Sequence, residues 1–187
     1  MKFLLAIFYV LVINAISIGQ DYVVTNRGDT LSGSIKNPLF EHQLFSRIVL
    51  KNDEKQSFGP SKVRSFVKEG VLFESHNVGD KNSDSVFLKL VIKGPCSLYE
   101  YQYVTHNNFN GIPNTSQPQT MYYLKRENEK FHAVRFSALK AGKDFYFIDN
   151  GSLTYDMRNG KYRKYEIQKI VERYNREFTK NDKILVK

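Results

Sequence analysis

Val86-Phe87-Leu88-Lys89-Leu90-Val91-Ile92 is almost continuously apolar, and its reading decides the fold. A run of this length, rich in β-branched and aromatic residues, predicts a central β-strand covered on both faces. Gly94-Pro95 breaks the chain, and Leu98–Thr105 resumes it as a second strand. Side chains alternate across a strand, so Tyr99, Tyr101 and Tyr103 share one face, while Leu98, Glu100 and Gln102 share the other.

The same alternation extends upstream. Asp21–Thr25 and Thr30–Lys36 flank Asn26-Arg27-Gly28-Asp29, and Arg47–Lys51 and Gln56–Phe58 flank Asn52-Asp53-Glu54-Lys55, so each set reads as a hairpin. Lys62–Val67 and Val71–Ser75 form another pair around Lys68-Glu69-Gly70. Downstream, residues 106–120 are rich in Asn, Gly, Pro, Ser, Thr and Gln and read as a long surface loop, after which Met121–Lys125 and Phe131–Phe136 make a further hairpin. Phe145–Ile148 fits a strand or a short helix, because a short apolar run does not separate the two. Ile167, Ile170, Val171, Tyr174 and Phe178 recur at helical spacing and predict an amphipathic helix that caps the sheet. The predicted fold class is α+β, a hairpin-rich antiparallel β-sheet closed by C-terminal helices. Residues 20–136 form the β-rich body, and residues 137–187 form a helical part that packs on the same domain.

Met1-Lys2 followed by the apolar run Phe3–Ile13 reads as a secretory signal peptide spanning residues 1–19. Ser17 and Gly19 are the small residues a signal peptidase requires, which places cleavage between Gly19 and Gln20. A membrane-spanning helix needs about 20 apolar residues, more than this run supplies, so no transmembrane segment is expected after the signal is removed. The cleavage region has no cysteine for lipid attachment, so the predicted location is secreted or periplasmic. The chain of 187 residues carries a formal charge of +9, one Cys and no Trp. One cysteine excludes an intramolecular disulfide and a cysteine-based zinc or iron–sulfur site. Cys96 between Pro95 and Ser97 reads as a small buried hydrophobe. Met157–Lys187 holds ten Lys and Arg against four Asp and Glu, so most of the positive charge is C-terminal.

Three stretches carry a resemblance. The hairpin Val24-Thr25-Asn26-Arg27-Gly28-Asp29-Thr30-Leu31-Ser32-Gly33 is similar to the opening of a group of exported cell-envelope proteins of the Bacteroidota that has no assigned activity. So are the middle stretch Val86–Leu90 with Ser97–Tyr101 and Tyr122-Tyr123-Leu124, and the end from Asn159-Gly160-Lys161-Tyr162 to Ile170-Val171-Glu172-Arg173-Tyr174-Asn175. The resemblance implies an envelope location and a helix over residues 137–150, and it implies no chemistry.

No catalytic, cofactor-binding or metal-ligating set is evident. His42, His76, His106 and His132 lack metal-site spacing, and only His106 with His132 across the loop would suggest an assembled pair. No phosphate-cradling glycine loop and no nucleophile elbow is present. Arg27-Gly28-Asp29 is ordinary turn chemistry. The candidate interaction surface comprises Tyr99, Tyr101 and Tyr103 with the basic residues Arg158, Lys161, Arg163 and Lys164. An aromatic row can stack on a ligand or close an interface, whereas the simpler reading packs it under the C-terminal helix. A basic helix and tail suit an anionic lipid or lipopolysaccharide surface, and export argues against nucleic acid. The expected function is that of a non-enzymatic cell-envelope protein binding a partner protein or an anionic envelope component. The alternative is a secreted hydrolase whose site is assembled only in the fold.

Overall fold

The computed structural model describes residues 20–36, 47–79, 85–107, 115–141, 146–163 and 166–185, without the side chains of 104–107, 115–118, 140 and 180–185. The predicted leader 1–19 with Gly19, and also His42, Lys164 and the side chain of His106, lie outside the described residues. The fold is α+β, with a large antiparallel sheet and C-terminal helices. The chain forms β1 (Tyr22–Thr25), β2 (Thr30–Ser32), β3 (Ser34–Lys36), β4 (Ile48–Lys51), β5 (Lys55–Phe58), β6 (Val63–Lys68), β7 (Val71–Asn77) and β8 (Ser85–Ile92). It continues through β9 (Cys96–Asn107), β10 (Thr115–Arg126) and β11 (His132–Ala133) into helices α1 (Phe136–Lys140), α2 (Gly151–Arg158) and α3 (Ile167–Leu185). The eight-stranded sheet has the order β11-β10-β9-β8-β7-β6-β1-β2, and β3-β4-β5 form a second, three-stranded sheet.

β8 is central in the large sheet, as its apolar run implies, but its two faces differ. Phe87 lies edge-on to Phe66 at 5.0 Å, and Phe66 stacks on Phe73 at 4.6 Å. These rings, with Val23 and Val63, meet Ile35, Ile48 and Leu50 of the small sheet in one core. Each fully buried side chain of this kind contributes about 2 kcal/mol. Farther along the same face, Cys96, Leu98 and Leu124 pack under Ile167, Ile170, Val171 and Tyr174 of α3, together with Leu153 and Met157 of α2. The small sheet and the helices therefore share one face of the large sheet. Leu88 and its neighbours on the opposite face cluster only with residues of β7–β11 and their connections, so the second covering layer expected for β8 is not found among the described residues.

Two further expectations change. Residues 115–120, read as loop from their polar composition, are strand, because β10 pairs with β9 continuously from Thr115↔Asn107 to Arg126↔Cys96. Main-chain pairing needs no apolar side chain, and Pro118 is tolerated because β11 pairs only with Tyr123 and Leu124 and leaves the outer edge of β10 open there. Of residues 137–150, those described form the rest of α1 and a turn, with no strand.

The predicted strand Thr30–Lys36 is split at Gly33, where the chain leaves the large sheet for the small one. Asp21 holds this junction. Its backbone carbonyl accepts the Gly33 N–H at 3.0 Å, and its carboxylate accepts the N–H of Ile35 at 3.0 Å and of Glu69 at 2.8 Å. A Cβ at Gly33 would lie 2.6 Å from the Lys51 carbonyl oxygen and 2.9 Å from Leu50 Cδ1. The carbonyl belongs to paired backbone and has no room to move. Gly33→Ala is expected to destabilise the fold by about 2 kcal/mol, comparable to other overpacking changes, measured as a lower urea midpoint with an unchanged m-value.

Candidate functional site

The tyrosine row lies on the face of the large sheet opposite the helices. Leu98 and Leu124 point into the helical core, so their neighbours Tyr99 and Tyr123 point the other way and join Leu88 in a separate cluster. The reading that packs this row under the C-terminal helix is thereby corrected: a strand presents alternate residues to opposite faces, and α3 selected the Leu98 face. Tyr99 is buried among its neighbours, whereas Tyr101 and Tyr103 are half-buried and stack at 5.8 Å with an interplanar angle of 13°. Phe131, before β11, folds onto this face 5.4 Å from Tyr99 and 4.7 Å from His76.

Glu74 is the polar centre of this apolar face. It accepts the Tyr99 hydroxyl at 2.8 Å, and His76 Nε2 lies 3.0 Å away. The His76 hydrogen bond, aided by Tyr99 and opposed by burial, holds the Glu74 carboxyl below the usual carboxylate range. Burial and the bond to Glu74 push the Tyr99 phenol well up, so Tyr99 is a neutral donor at all physiological pH. The arrangement fixes Tyr99 as a rigid base beside the stacked pair. Its sequence signal was the alternation Glu74, His76 in β7, which carries no distinctive spacing.

The basic candidates lie on the helical side and do not join the tyrosines. Lys161 pairs with Asp156 at 2.7 Å, and Asp156 also accepts Arg173 at 2.5 Å. Arg173 further binds Glu177 at 2.7 Å, the Tyr162 hydroxyl at 3.0 Å and Ser152 at 2.9 Å. Arg173 thus fastens α2 to α3. Arg158 at the end of α2 is exposed, as is Arg163, whose backbone N–H donates to Glu166 at 2.8 Å.

Arg163 also lines a cleft of ≈ 560 Å³ between the edge of β10 and the helices. Leu139, Met157 and Ile170 form its floor, and Tyr122, Val134 and Phe136 its walls. Among the described residues, Arg135 and Arg163 are its only charged lining groups, and it contains no histidine or carboxylate. A second groove, of ≈ 680 Å³, does contain Glu127, Glu129 and Asp149. There Arg126 pairs with Asp149 at 3.0 Å and with Glu129 at 3.7 Å, and Asp149 also accepts the Tyr174 hydroxyl at 2.6 Å. Asp149 is thereby engaged in holding the helices to the sheet, Glu129 pairs locally across the β10–β11 turn, and Glu127 is exposed. No group of three or more His, Cys, Asp or Glu among the described residues is placed to hold a metal, and His132 stacks on Tyr146 at 4.7 Å. Cys96 is fully buried, and burial pushes its thiol up to about 11, which makes it a packing residue without nucleophilic character at neutral pH.

No helix among the described residues is long and apolar enough to cross a membrane. Compared with known proteins, the chain matches no protein-family model, no curated protein and no solved structure.

Proposed function

We propose that the protein is an exported, non-enzymatic component of the cell envelope that binds a partner protein through the tyrosine face of its large sheet. The observation that carries this reading is the stacked pair Tyr101–Tyr103 on a half-buried apolar face that, among the described residues, only its own strands and their connections cover. A sheet face of tyrosine, leucine and methionine that no other layer of the described residues covers has the composition of an interface core, and Tyr supplies contact area at small entropic cost. The base under the pair is already ordered by the Tyr99–Glu74–His76 contacts, so little freedom is lost on docking. The predicted signal peptide supports the envelope location. The hydrolase alternative gains no support, because among the described residues the apolar cleft has no carboxylate or histidine, and Asp149 and Glu129 of the second groove are engaged by Arg126 and Tyr174.

The test is site-specific photo-crosslinking in envelope preparations, with p-benzoylphenylalanine replacing Tyr103 or, as control, Arg158. Protein recovered there should begin at Gln20. A discrete adduct is expected from position 103 alone, lost on adding Tyr101→Ala, a truncation that at an aromatic hot spot weakens binding by about 2 kcal/mol. Equal labelling from both positions, or none from 103, would refute the reading.

A further inference from the structure

β10 lends its outer edge to β11 at Leu124 and Tyr123 and then leaves it open. Just beyond β11 the Val134 N–H donates to the Tyr122 carbonyl at 2.8 Å, after which the chain turns away into α1. The bond at Tyr122 fixes the parity of the edge. In an antiparallel strand the N–H and C=O of one residue point to the same side, and successive residues point to opposite sides. The register between β9 and β10 is unbroken, so the main chain of Thr120, Pro118 and Ser116 faces outward like that of Tyr122. Pro118 offers a carbonyl only, whereas Thr120 offers both groups. Thr120 is exposed, and among the described residues no strand pairs with its outer side.

The apolar cleft opens beside this edge. Thr120, Met121 and Tyr122 line its ≈ 560 Å³ together with buried Leu139, Met157 and Ile170. Residues paired across an antiparallel ladder share a face, and Val134, opposite Tyr122, already lines the cleft. The next position on that face of an added strand lies two residues farther, opposite Thr120. A residue there turns its side chain to the cleft side of the sheet, and its N–H and C=O meet those of Thr120. An open strand edge beside an apolar pocket is how sheets bind extended peptides: main-chain bonds give affinity, and the pocket selects an alternate side chain. Charge narrows the occupant further. The chain carries a formal charge of +9, and Arg135 is exposed at the cleft, so an acidic segment is drawn to it and a basic one repelled. We infer that β10 and this cleft bind an extended acidic segment of a partner protein as an added antiparallel strand, with one large apolar side chain opposite Thr120. This surface goes beyond the tyrosine face proposed above, lies on the other side of the sheet and does not depend on it.

The test is selection on the intact protein from a phage library of random heptapeptides flanked by Asp, followed by fluorescence-anisotropy titration of the best binder as a synthetic peptide. Selected sequences should share one large apolar residue. N-methylation of that residue's own amide removes a bond to Thr120 and should weaken binding by about tenfold. N-methylation of the following residue, whose amide faces away from β10, should leave the affinity unchanged. Thr120→Pro, which removes an outward N–H, should weaken binding by a similar factor, about tenfold, with the circular dichroism spectrum unchanged. Ser137→Trp, which narrows the cleft from an exposed position, should reduce affinity in the same way. Replacing the Asp flanks by Lys should weaken binding at low salt, and the difference should shrink as salt rises. No enrichment, equal effects of the two N-methyl groups, or a Lys-flanked peptide that binds as tightly as the Asp-flanked one overturns the inference. Both N-methyl peptides are read on the unmodified protein, so these outcomes stand even where a variant fails to fold. Tyr101→Ala should leave every titration unchanged, so failure here and failure of the tyrosine-face reading are separate results.

Discussion

Asn175→Ala is expected to destabilise the protein by about 3 kcal/mol, because this side chain makes two hydrogen bonds that tie the long helix to the backbone of the sheet. Asn175 Oδ1 accepts the Cys96 N–H at 2.8 Å, and Asn175 Nδ2 donates to the Cys96 carbonyl at 2.8 Å. Cys96 opens β9 and is fully buried. Truncating Asn175 leaves a buried donor and a buried acceptor unpaired, at about 1–3 kcal/mol each, of which some is recovered by water reaching the open end of the strand. In a chain of this size the loss corresponds to a fall in Tm of about 6–12 °C. Asn175→Asp separates the two bonds: its carboxylate accepts the N–H but faces the Cys96 carbonyl without a proton to donate. Its folded pKa is therefore raised, so its stability deficit should shrink as pH falls through that value. Gly94 belongs to the same contact, since a Cβ there would lie 2.5 Å from Asn175 Nδ2. Gly94→Ala and Asn175→Ala should accordingly be less than additive in a double-mutant cycle measured by chemical denaturation. Full additivity would place the strain of Gly94→Ala elsewhere.

Arg126→Ala should have an effect of similar size for a different physical reason. The guanidinium lies 4.5 Å from the ring centre of Tyr146 and 4.7 Å from that of Tyr174. It donates to the Tyr146 carbonyl and pairs with Asp149 at 3.0 Å. Asp149 is 43% exposed, so the ion pair by itself contributes little, about 1 kcal/mol. Two partly desolvated cation–π contacts add about 1 kcal/mol each, which gives about 3 kcal/mol for removal of the side chain. Arg126→Lys should recover less than half, because an ammonium has no plane to stack between two rings. Cys96 offers a local readout. Its thiol is fully buried beside this cluster and unreactive in the native state. If loosening the cluster opens the site, maleimide labelling of Cys96 should accelerate by up to about 100-fold, a tenfold change for each 1.4 kcal/mol of lost protection. Labelling at the wild-type rate in Arg126→Ala would show that the cluster does not guard the thiol.

How far the sequence reaches differs from element to element. α3 was legible because its apolar spacing, at helical intervals from Ile167 to Tyr174, is a direct image of burial, whereas the continuous run Val86–Ile92 marked β8 as a central strand without marking which of its faces is covered. The hairpin of β4 and β5 was legible from the polar turn between them. β10 was half hidden, since Thr115–Thr120 becomes strand through backbone pairing with β9, and that pairing leaves no mark on side-chain composition. Gly33 was passed over inside a β-prone run, because what requires glycine there is the carbonyl of Lys51, a residue eighteen positions away. Arg135 and Tyr162 carried no signal at all. They become lining residues of one cleft only because α1 and α3 close against the edge of β10.

The sequence by itself determined the class of fold, the strand at its centre, the helix that closes it and the candidate aromatic row, because each of these is written in the periodicity of one short segment. The tertiary structure decided which face each segment uses. Tyr99, Tyr101 and Tyr103 alternate identically whether they lie beneath a helix or outside it. Only the packing of α3 on Leu98 and Leu124 leaves the tyrosines on the other side. Likewise, of the ten basic residues in the C-terminal segment, the folded contacts show that Asp156 and Glu177 hold Lys161 and Arg173, while Arg158 and Arg163 stay exposed. Alternation specifies that a strand has two faces, and charge specifies that a residue attracts its opposite. Which face is covered, and which charges are neutralised, depends on contacts between residues far apart in the chain.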